Sequence, residues 1–378
     1  MIIAYYKDSL KNGAGMERVL ATKANYLAEV LNHEVHIIVG ISSKESFFDF
    51  SKKIRFHSLD LKQEGSFLLR FIMGNKNHKE LKKKLARKLD EIKPDITIGM
   101  FGAEYDFLYK LKDGSKKVLE FHFSKNYLIH LVKGLPNKKN NFLRKSRALF
   151  LQSREAYYAG KYNHVVLLTE KDKKLWGGGN RYTVIPNPLS FIPQERALLK
   201  NKRIIAIGRY IAQKGFDLLI DAVNLLRDDF PDWEVFIFGE GQDKNYLQQR
   251  INNLSLQNRI FLKEPVTNID RELLNSSLLV FPSRYEGFGL VLTEAMACGV
   301  PCVAFDCECG PSEIIRDNED GFLAEPNNIP ELAAKMKILM QDEELRQKMG
   351  TTARVNVLRF KEEKIMDRWS LFFDKIKA

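Results

Sequence analysis

A chain of 378 residues, 44% hydrophobic and 29% charged, has room for two or three domains, and its composition excludes disordered, collagen-like and coiled-coil classes. No apolar run approaches the length of a membrane span. The formal net charge of +12 is uneven: residues 1–190 carry 35 Lys and Arg against 19 Asp and Glu, and residues 191–378 carry 25 against 29.

That asymmetry predicts an anionic partner for the first half; nucleic acid, an anionic membrane surface and a phosphorylated substrate all qualify. The N-terminus, MIIAYYKDSL, lacks the basic start, apolar core and cleavage site of a signal peptide and reads as a first strand, Met1 to Tyr6. A cytoplasmic chain is expected. A polar loop from Lys7 to Gly15 leads to a helix from about Met16 to Leu31, with Val19, Leu20, Leu27 and Leu31 on its apolar side. GAGMER, Gly13 to Arg18, thus sits between strand and helix, where phosphate cradles are built, although it is neither a Walker A sequence nor a full G-x-G-x-x-G.

Strands are predicted at His36–Gly40, Ile54–His57, Ile96–Met100 and Lys117–Glu120. Between the second and third of these strands lies a basic helix, Asn77 to Ile92, whose Leu81, Leu85, Leu89 and Ile92 form the buried stripe. His122 stands just past the strand that ends at Glu120, where open α/β sheets place ligand groups; its imidazole could donate a hydrogen bond to a substrate hydroxyl. Tyr127 to Tyr162 interleaves aromatic, apolar and basic residues without a clean stripe, a pattern suited to an anionic bilayer surface or to RNA, although no RNA-binding motif accompanies it. Strands follow at Val165–Thr169 and Tyr182–Ile185, and Pro186-Asn187-Pro188 reads as a domain linker.

The alternation then restarts. Strand Arg203–Ile207 leads to a loop carrying Arg209 and Lys214, and a helix covers Phe216 to Arg227 with Leu218, Leu219, Ala222, Val223 and Leu226 inward. Strands at Glu234–Phe238 and Arg259–Leu262 precede a helix at Ile269–Ser276. Next comes FPSRYEGFGLVLTEAMACGVPCVAFDCECGPSEII, Phe281 to Ile315. Here strand Leu278–Phe281 opens onto a loop with Glu286 and Gly287-Phe288-Gly289, then a helix Leu290–Cys298 holding Glu294, eight positions after Glu286, then a strand Cys302–Phe305. Glycines at a helix start leave backbone N–H groups free to meet an anion, which the helix dipole favours. Arg209 and Lys214, at a strand's C-terminal end near that helix, could clamp a diphosphate. The four cysteines, Cys298, Cys302, Cys307 and Cys309, show no paired C-x-x-C spacing and read as buried reduced thiols rather than zinc ligands. Helices fill Ile329 to Lys377. The whole predicts an α/β protein of two doubly wound, Rossmann-like parallel sheets facing each other across a cleft.

With these motifs in view the chain resembles a family-4 retaining glycosyltransferase of the GT-B fold. The resemblance rests on the E-x7-E pair Glu286 and Glu294, the GRYIAQKG loop, the FGEG turn, VIPNP, GAGMER and the GPSE turn in DCECGPSEII; the chain departs at Ala14, where many members have glycine. It implies an N-terminal acceptor-binding domain at 1–188, a nucleotide-sugar-binding domain at 189–358 and a last helix, 359–378, crossing back to the first domain. Arg209 and Lys214 would neutralise the donor diphosphate and the charge growing on the leaving group. Backbone amides around Phe288, Gly289 and Leu290 would hold the distal phosphate, and Gly15 would line the diphosphate from the first domain. Glu286 would accept from donor-sugar hydroxyls, Glu294 would bind the ribose, and His122 would contact the sugar near the reacting carbon.

The resemblance further implies attack from the leaving-group face, with the departing phosphate taking the acceptor's proton, and neither metal nor cofactor beyond the donor itself. The expected substrates are a nucleotide diphosphate sugar, a UDP-sugar foremost, and a growing, lipid-linked glycan of polysaccharide or lipopolysaccharide assembly, met at the inner face of a membrane. A sugar-nucleotide epimerase or phosphorylase on the same fold stays open, as does a basic nucleic-acid-binding protein, which has charge alone in its favour.

Overall fold

The computed structural model describes residues 1–10, 15–41, 48–61, 78–133 and 141–377. Gly13 and Ala14 of GAGMER, Asn77 at the start of the basic helix, and 134–140 within the Tyr127–Tyr162 stretch lie outside the described residues. Among the described residues the first sheet has seven strands: β1 (Ile2–Lys7), β2 (Glu34–Val39), β3 (Arg55–Ser58), β4 (Ile96–Gly99), β5 (Lys116–Glu120), β6 (His164–Leu167) and β7 (Tyr182–Val184), in spatial order β3-β2-β1-β4-β5-β6-β7. The second has six: β8 (Arg203–Ile207), β9 (Glu234–Phe238), β10 (Ile260–Lys263), β11 (Leu278–Phe281), β12 (Cys302–Phe305) and β13 (Gly321–Ala324), in order β10-β9-β8-β11-β12-β13. Every pairing in both sheets is parallel, so the expected pair of doubly wound α/β sheets is what the chain forms. The strand order reverses between β1 and β4 in one sheet and between β8 and β11 in the other, and such switch points open the crevices where ligands bind.

The helices of the first half are α1 (Gly15–Glu29), α2 (His78–Ile92), α3 (Tyr127–Lys133), α4 (Asn141–Ala159) and α5 (Glu170–Leu175). Those of the second are α6 (Phe216–Leu226), α7 (Lys244–Asn253), α8 (Ile269–Leu274), α9 (Leu290–Ala297), α10 (Pro311–Ile314), α11 (Ile329–Gln341), α12 (Glu343–Asn356) and α13 (Glu362–Lys377). Element ends differ from the sequence expectation by one or two residues, as fraying ends do.

Strands covered by helices on both faces need continuous apolar runs, and LLVF of β11 and CVAF of β12 are buried at every position. Helices instead bury one stripe. In α2 this is Leu81, Leu85 and Leu89, while its charges pair along the outer face, Lys84 with Glu80 and both Arg87 and Lys88 with Glu91. In α6 Leu219, Ala222, Val223 and Leu226 are buried, but Leu218 sits at the margin. In α1 Val19, Leu20 and Leu27 are buried, Leu31 lies beyond the helix end, and Lys23 occupies the same buried stripe.

One apolar cluster crosses between the halves, joining Tyr5, Leu20 and Leu27 to Phe288, Leu292, Phe360 and the α13 residues Trp369, Phe372 and Phe373. α13 lies on the first sheet's domain: Trp369 covers the Lys23 ammonium at 4.4 Å, Phe372 meets His164 edge-on at 5.5 Å, and Lys377 pairs with Asp95 at 3.5 Å. Among the described residues no helix is long and apolar enough to cross a membrane. On α4, however, Phe142, Leu143 and Phe150 are exposed beside Lys145 and Arg147.

Candidate active site

The second domain builds its side of the cleft from the loops after β8 and β11, which flank that sheet's switch point. Side-chain contacts lace the second loop to the first and to the start of α6. Lys214 Nζ donates to Glu286 Oε1 at 2.7 Å, Gln213 Nε2 to the Tyr285 carbonyl at 3.0 Å, and Arg284 makes a two-pronged pair with Asp217 at 2.8 and 2.6 Å. Gly215 closes the first loop in the left-handed region, φ +66°, and a Cβ there would lie 2.0 Å from the Pro282 carbonyl, so only glycine admits this approach. Arg209 is exposed, and its guanidinium makes no hydrogen bond or ion pair among the described residues. Glu286 itself is buried.

Gly289, with φ +108°, turns the chain into α9, whose first residue is Leu290. Glu294, one turn further on, is buried, and burial pushes its carboxyl upward against the opposing pull of Arg18 and Ser190. Arg18 Nη1 reaches it at 2.5 Å and Ser190 Oγ donates at 2.8 Å, both to Oε1.

The first domain supplies Gly15 and His122. Gly15 is the first residue of α1, and a Cβ on it would stand 2.9 Å from Leu290 Cδ1. The N-terminal ends of α1 and α9 therefore abut across the cleft, each with the positive end of a helix dipole, about half a charge. His122 is buried just past β5; a Cβ on Gly287 would fall 2.1 Å from its carbonyl oxygen, so the glycine loop rests directly on the His122 backbone. The structure thus draws Gly15, His122, Glu286, Leu290 and Glu294 into one inter-domain cleft, with Lys214 attached to it through Glu286.

Sequence reasoning missed several groups that hold this cleft. Glu120 and Lys23 form a fully buried ion pair behind His122, and the signal was present: Lys23 lies midway between Val19 and Leu27 on an apolar stripe. Across the domains Glu308 accepts from Asn126 Nδ2 at 2.6 Å and Ser124 Oγ at 3.2 Å, with His130 Nε2 at 3.2 Å, and the His130 ring stacks on Tyr285 at 5.1 Å. Glu313 of the GPSE turn takes the Glu170 and Lys171 backbone N–H groups at the start of α5, at 2.9 and 2.7 Å. Partners more than 100 residues apart leave no local pattern to read. The four cysteines are buried free thiols, and burial pushes that of Cys298 up to about 12.

Residues 190–356 match the family described as Glycosyl transferases group 1. The chain is 28% identical over 379 residues to an uncharacterized glycosyltransferase of Haemophilus influenzae, covering 97% of this chain and 98% of the relative. It is 25% identical over 381 residues to the amylovoran biosynthesis glycosyltransferase AmsD of Erwinia amylovora, covering 96% and 97%. Its backbone follows that of an S. aureus TarM variant in complex with Fondaparinux, alpha-GlcNAc-glycerol and UDP, with a TM-score of 0.78 at 17% identity over 98% of this chain and 99% of the other. The chain thus has the GT-B fold of two facing parallel sheets, and its residues 190–356 match the group 1 glycosyl transferases.

Proposed function

We propose that this protein is a glycosyltransferase that moves a hexose or N-acetylhexosamine, with retention of configuration, from a nucleotide diphosphate sugar to a growing, lipid-linked glycan. The observation that carries the reading is the meeting of two helix N-termini, those of α1 and α9, at Gly15 and Leu290. A diphosphate set there would be met by backbone N–H groups from both domains, the Lys214 ammonium and the free Arg209 guanidinium. Those cations supply what stabilisation the departing nucleotide needs, so the reaction requires no metal in this reading. Glu286 accepts from the sugar hydroxyls, Glu294 from the ribose, and His122 sits at the reacting carbon. The departing phosphate takes the acceptor's proton, which accounts for the lack of a nucleophile and base pair in the roles assigned. UDP is the favoured nucleotide, since the TarM structure of the same fold holds UDP.

The acceptor reading rests on charge and surface. AmsD is a biosynthetic glycosyltransferase of amylovoran, which supports a polysaccharide-assembly role. Phe142 is 80% exposed and Phe150 65% exposed on α4, interleaved with basic residues, as suits a peripheral protein on an anionic leaflet. The decisive experiment is a thermal-shift and turnover screen of UDP-, GDP- and ADP-sugars. A donor at a hundred times its dissociation constant stabilises by about 2.7 kcal/mol. A screen in which no nucleotide sugar shifts the transition or loses its sugar would end the proposal.

A further inference from the structure

The buried pair behind His122 has no part in the roles given so far. Lys23 of α1 and Glu120 of β5 pair with each other in an interior where both side chains are about 1% exposed, and Trp369 of α13 closes over the ammonium at 4.4 Å. His122 Nε2 lies 3.1 Å from the same carboxylate oxygen that Lys23 uses. The ring is nonetheless turned off the line: neither Nε2 nor the second Glu120 oxygen, Oε2, completes a hydrogen bond, although both are buried. An orphaned Nε2 lying 3.1 Å from a buried carboxylate is an arrangement that a small rotation of the imidazole would satisfy.

We infer that Glu120 is the positioning residue of the donor site: it draws the proton of His122 to Nε2, and so turns Nδ1 toward the donor sugar as an acceptor. This rests on the proposed function in so far as His122 is placed beside the sugar. Lys23 keeps the carboxylate ionised: burial raises Glu120, but the Lys23 charge, foremost among the opposing causes, holds it below its ordinary value. Burial lowers His122, with Glu120 pulling the other way and Lys23 and Lys7 adding to the lowering. The remaining neighbours are Tyr5 of β1, which stays a neutral phenol because burial and Glu120 both raise it, the uncharged Trp369, and the Gly287 backbone. A neutral imidazole whose Nε2–H faces a carboxylate can present only an acceptor at Nδ1, which reverses the donor role expected from the sequence.

The ring spectrum of the wild-type enzyme is the first test. Nitrogen-15 spectra of the His122 ring, identified by its loss in His122→Ala, are expected to show the Nε2-protonated neutral form at pH 7; an Nδ1-protonated ring overturns the inference. Glu120→Gln leaves Lys23 without its counter-charge and risks the fold, so the paired variant Lys23→Met/Glu120→Gln is measured beside it. With the carboxylate gone His122 is expected to titrate lower, because Glu120 is the group that pulls it up. Turnover number is expected to fall about 10- to 100-fold, the scale seen for outer partners of functional histidines, with donor KM within twofold. A His122 titration that does not move, or a kcat that does not fall when His122→Ala is itself inactive, overturns the inference. Full turnover in His122→Ala would instead remove His122 from the proposed chemistry, an outcome separable from the ring spectra.

Discussion

Arg18 of the first domain and Glu294 of the second, 276 residues apart, meet at 2.5 Å, and the acid is 4% exposed. The carboxylate proposed to bind the ribose is thereby tied to the opposite domain. Removing one partner of a buried pair typically costs about 3–5 kcal/mol. Ser190 still bonds Glu294 and the carboxyl is already pushed toward its neutral form, so Arg18→Met is expected to fall at the lower end. Its signature is a lower thermal transition that added nucleotide restores only partly. Glu294→Gln keeps the shape and is expected to weaken nucleotide affinity more than kcat. Equal loss in both, by titration and steady-state kinetics, would remove Glu294 from the ribose.

Lys214 and Glu286 are each other's partner at 2.7 Å in the free enzyme, so a donor must share or displace that contact. Lys214→Ala is expected to reduce kcat/KM about 10²–10³-fold, the usual cost of one transition-state donor, and Lys214→Arg to recover little of it, because a guanidinium fork does not replace a point charge here. Glu286→Gln should lower both kcat and affinity. Unchanged donor turnover in Lys214→Ala and Glu286→Ala would refute the site.

Gly287 permits the first domain to close on the second. A Cβ there would come within 2.1 Å of the His122 carbonyl and 3.0 Å of Phe123 Cα, both backbone atoms that cannot step aside. Gly287→Ala is expected to hold the domains apart and lower kcat at least tenfold with each domain still folded, since closure assembles the site. Gly114→Ala is the comparison: its φ is +88° but nothing lies within 4 Å, so the cost is backbone strain of about 1 kcal/mol with activity retained. Circular dichroism and kinetics on the pair separate crowding from strain.

Glu104 is fully buried, and burial, then the nearby Asp8 charge, push its carboxyl up to about 8. A carboxyl raised on folding binds more protons in the native than in the unfolded chain. Its contribution to stability is thus complete below about 4.5, its unfolded value, and is lost as pH rises through about 8. Wild-type thermal transitions are expected to fall across that window, and Glu104→Gln to flatten the fall and raise stability at pH 8. A transition that falls equally in both would assign the pH dependence elsewhere.

Exposed Phe142, Leu143 and Phe150 on α4 lead to an expectation at membranes. Phe142→Ser/Phe150→Ser is expected to reduce flotation with anionic liposomes while leaving turnover of a soluble acceptor analogue unchanged. Wild-type protein that fails to float, or floats equally with neutral lipid, removes the membrane from the proposal.

Much of this was readable along the chain because the signals are local. Apolar runs such as LLVF specify buried parallel strands, the spacing of Leu81, Leu85 and Leu89 specifies a helix face, and Gly289 before Leu290 specifies a helix start that can meet an anion. Those features determined two alternating α/β halves and placed Arg209, Lys214 and Glu286 on loops at strand ends. Tertiary structure alone decided who meets whom. Nothing near Glu294 announces Arg18, nothing near Glu308 announces Asn126 or His130, and the pairing of Lys23 with Glu120 behind His122 joins residues 97 positions apart. The physical reason is that burial and charge pairing are properties of position in space: a side chain's partner, and hence its protonation and its role, is set by what the fold packs against it, whereas periodicity and turn chemistry are set by its neighbours in the chain.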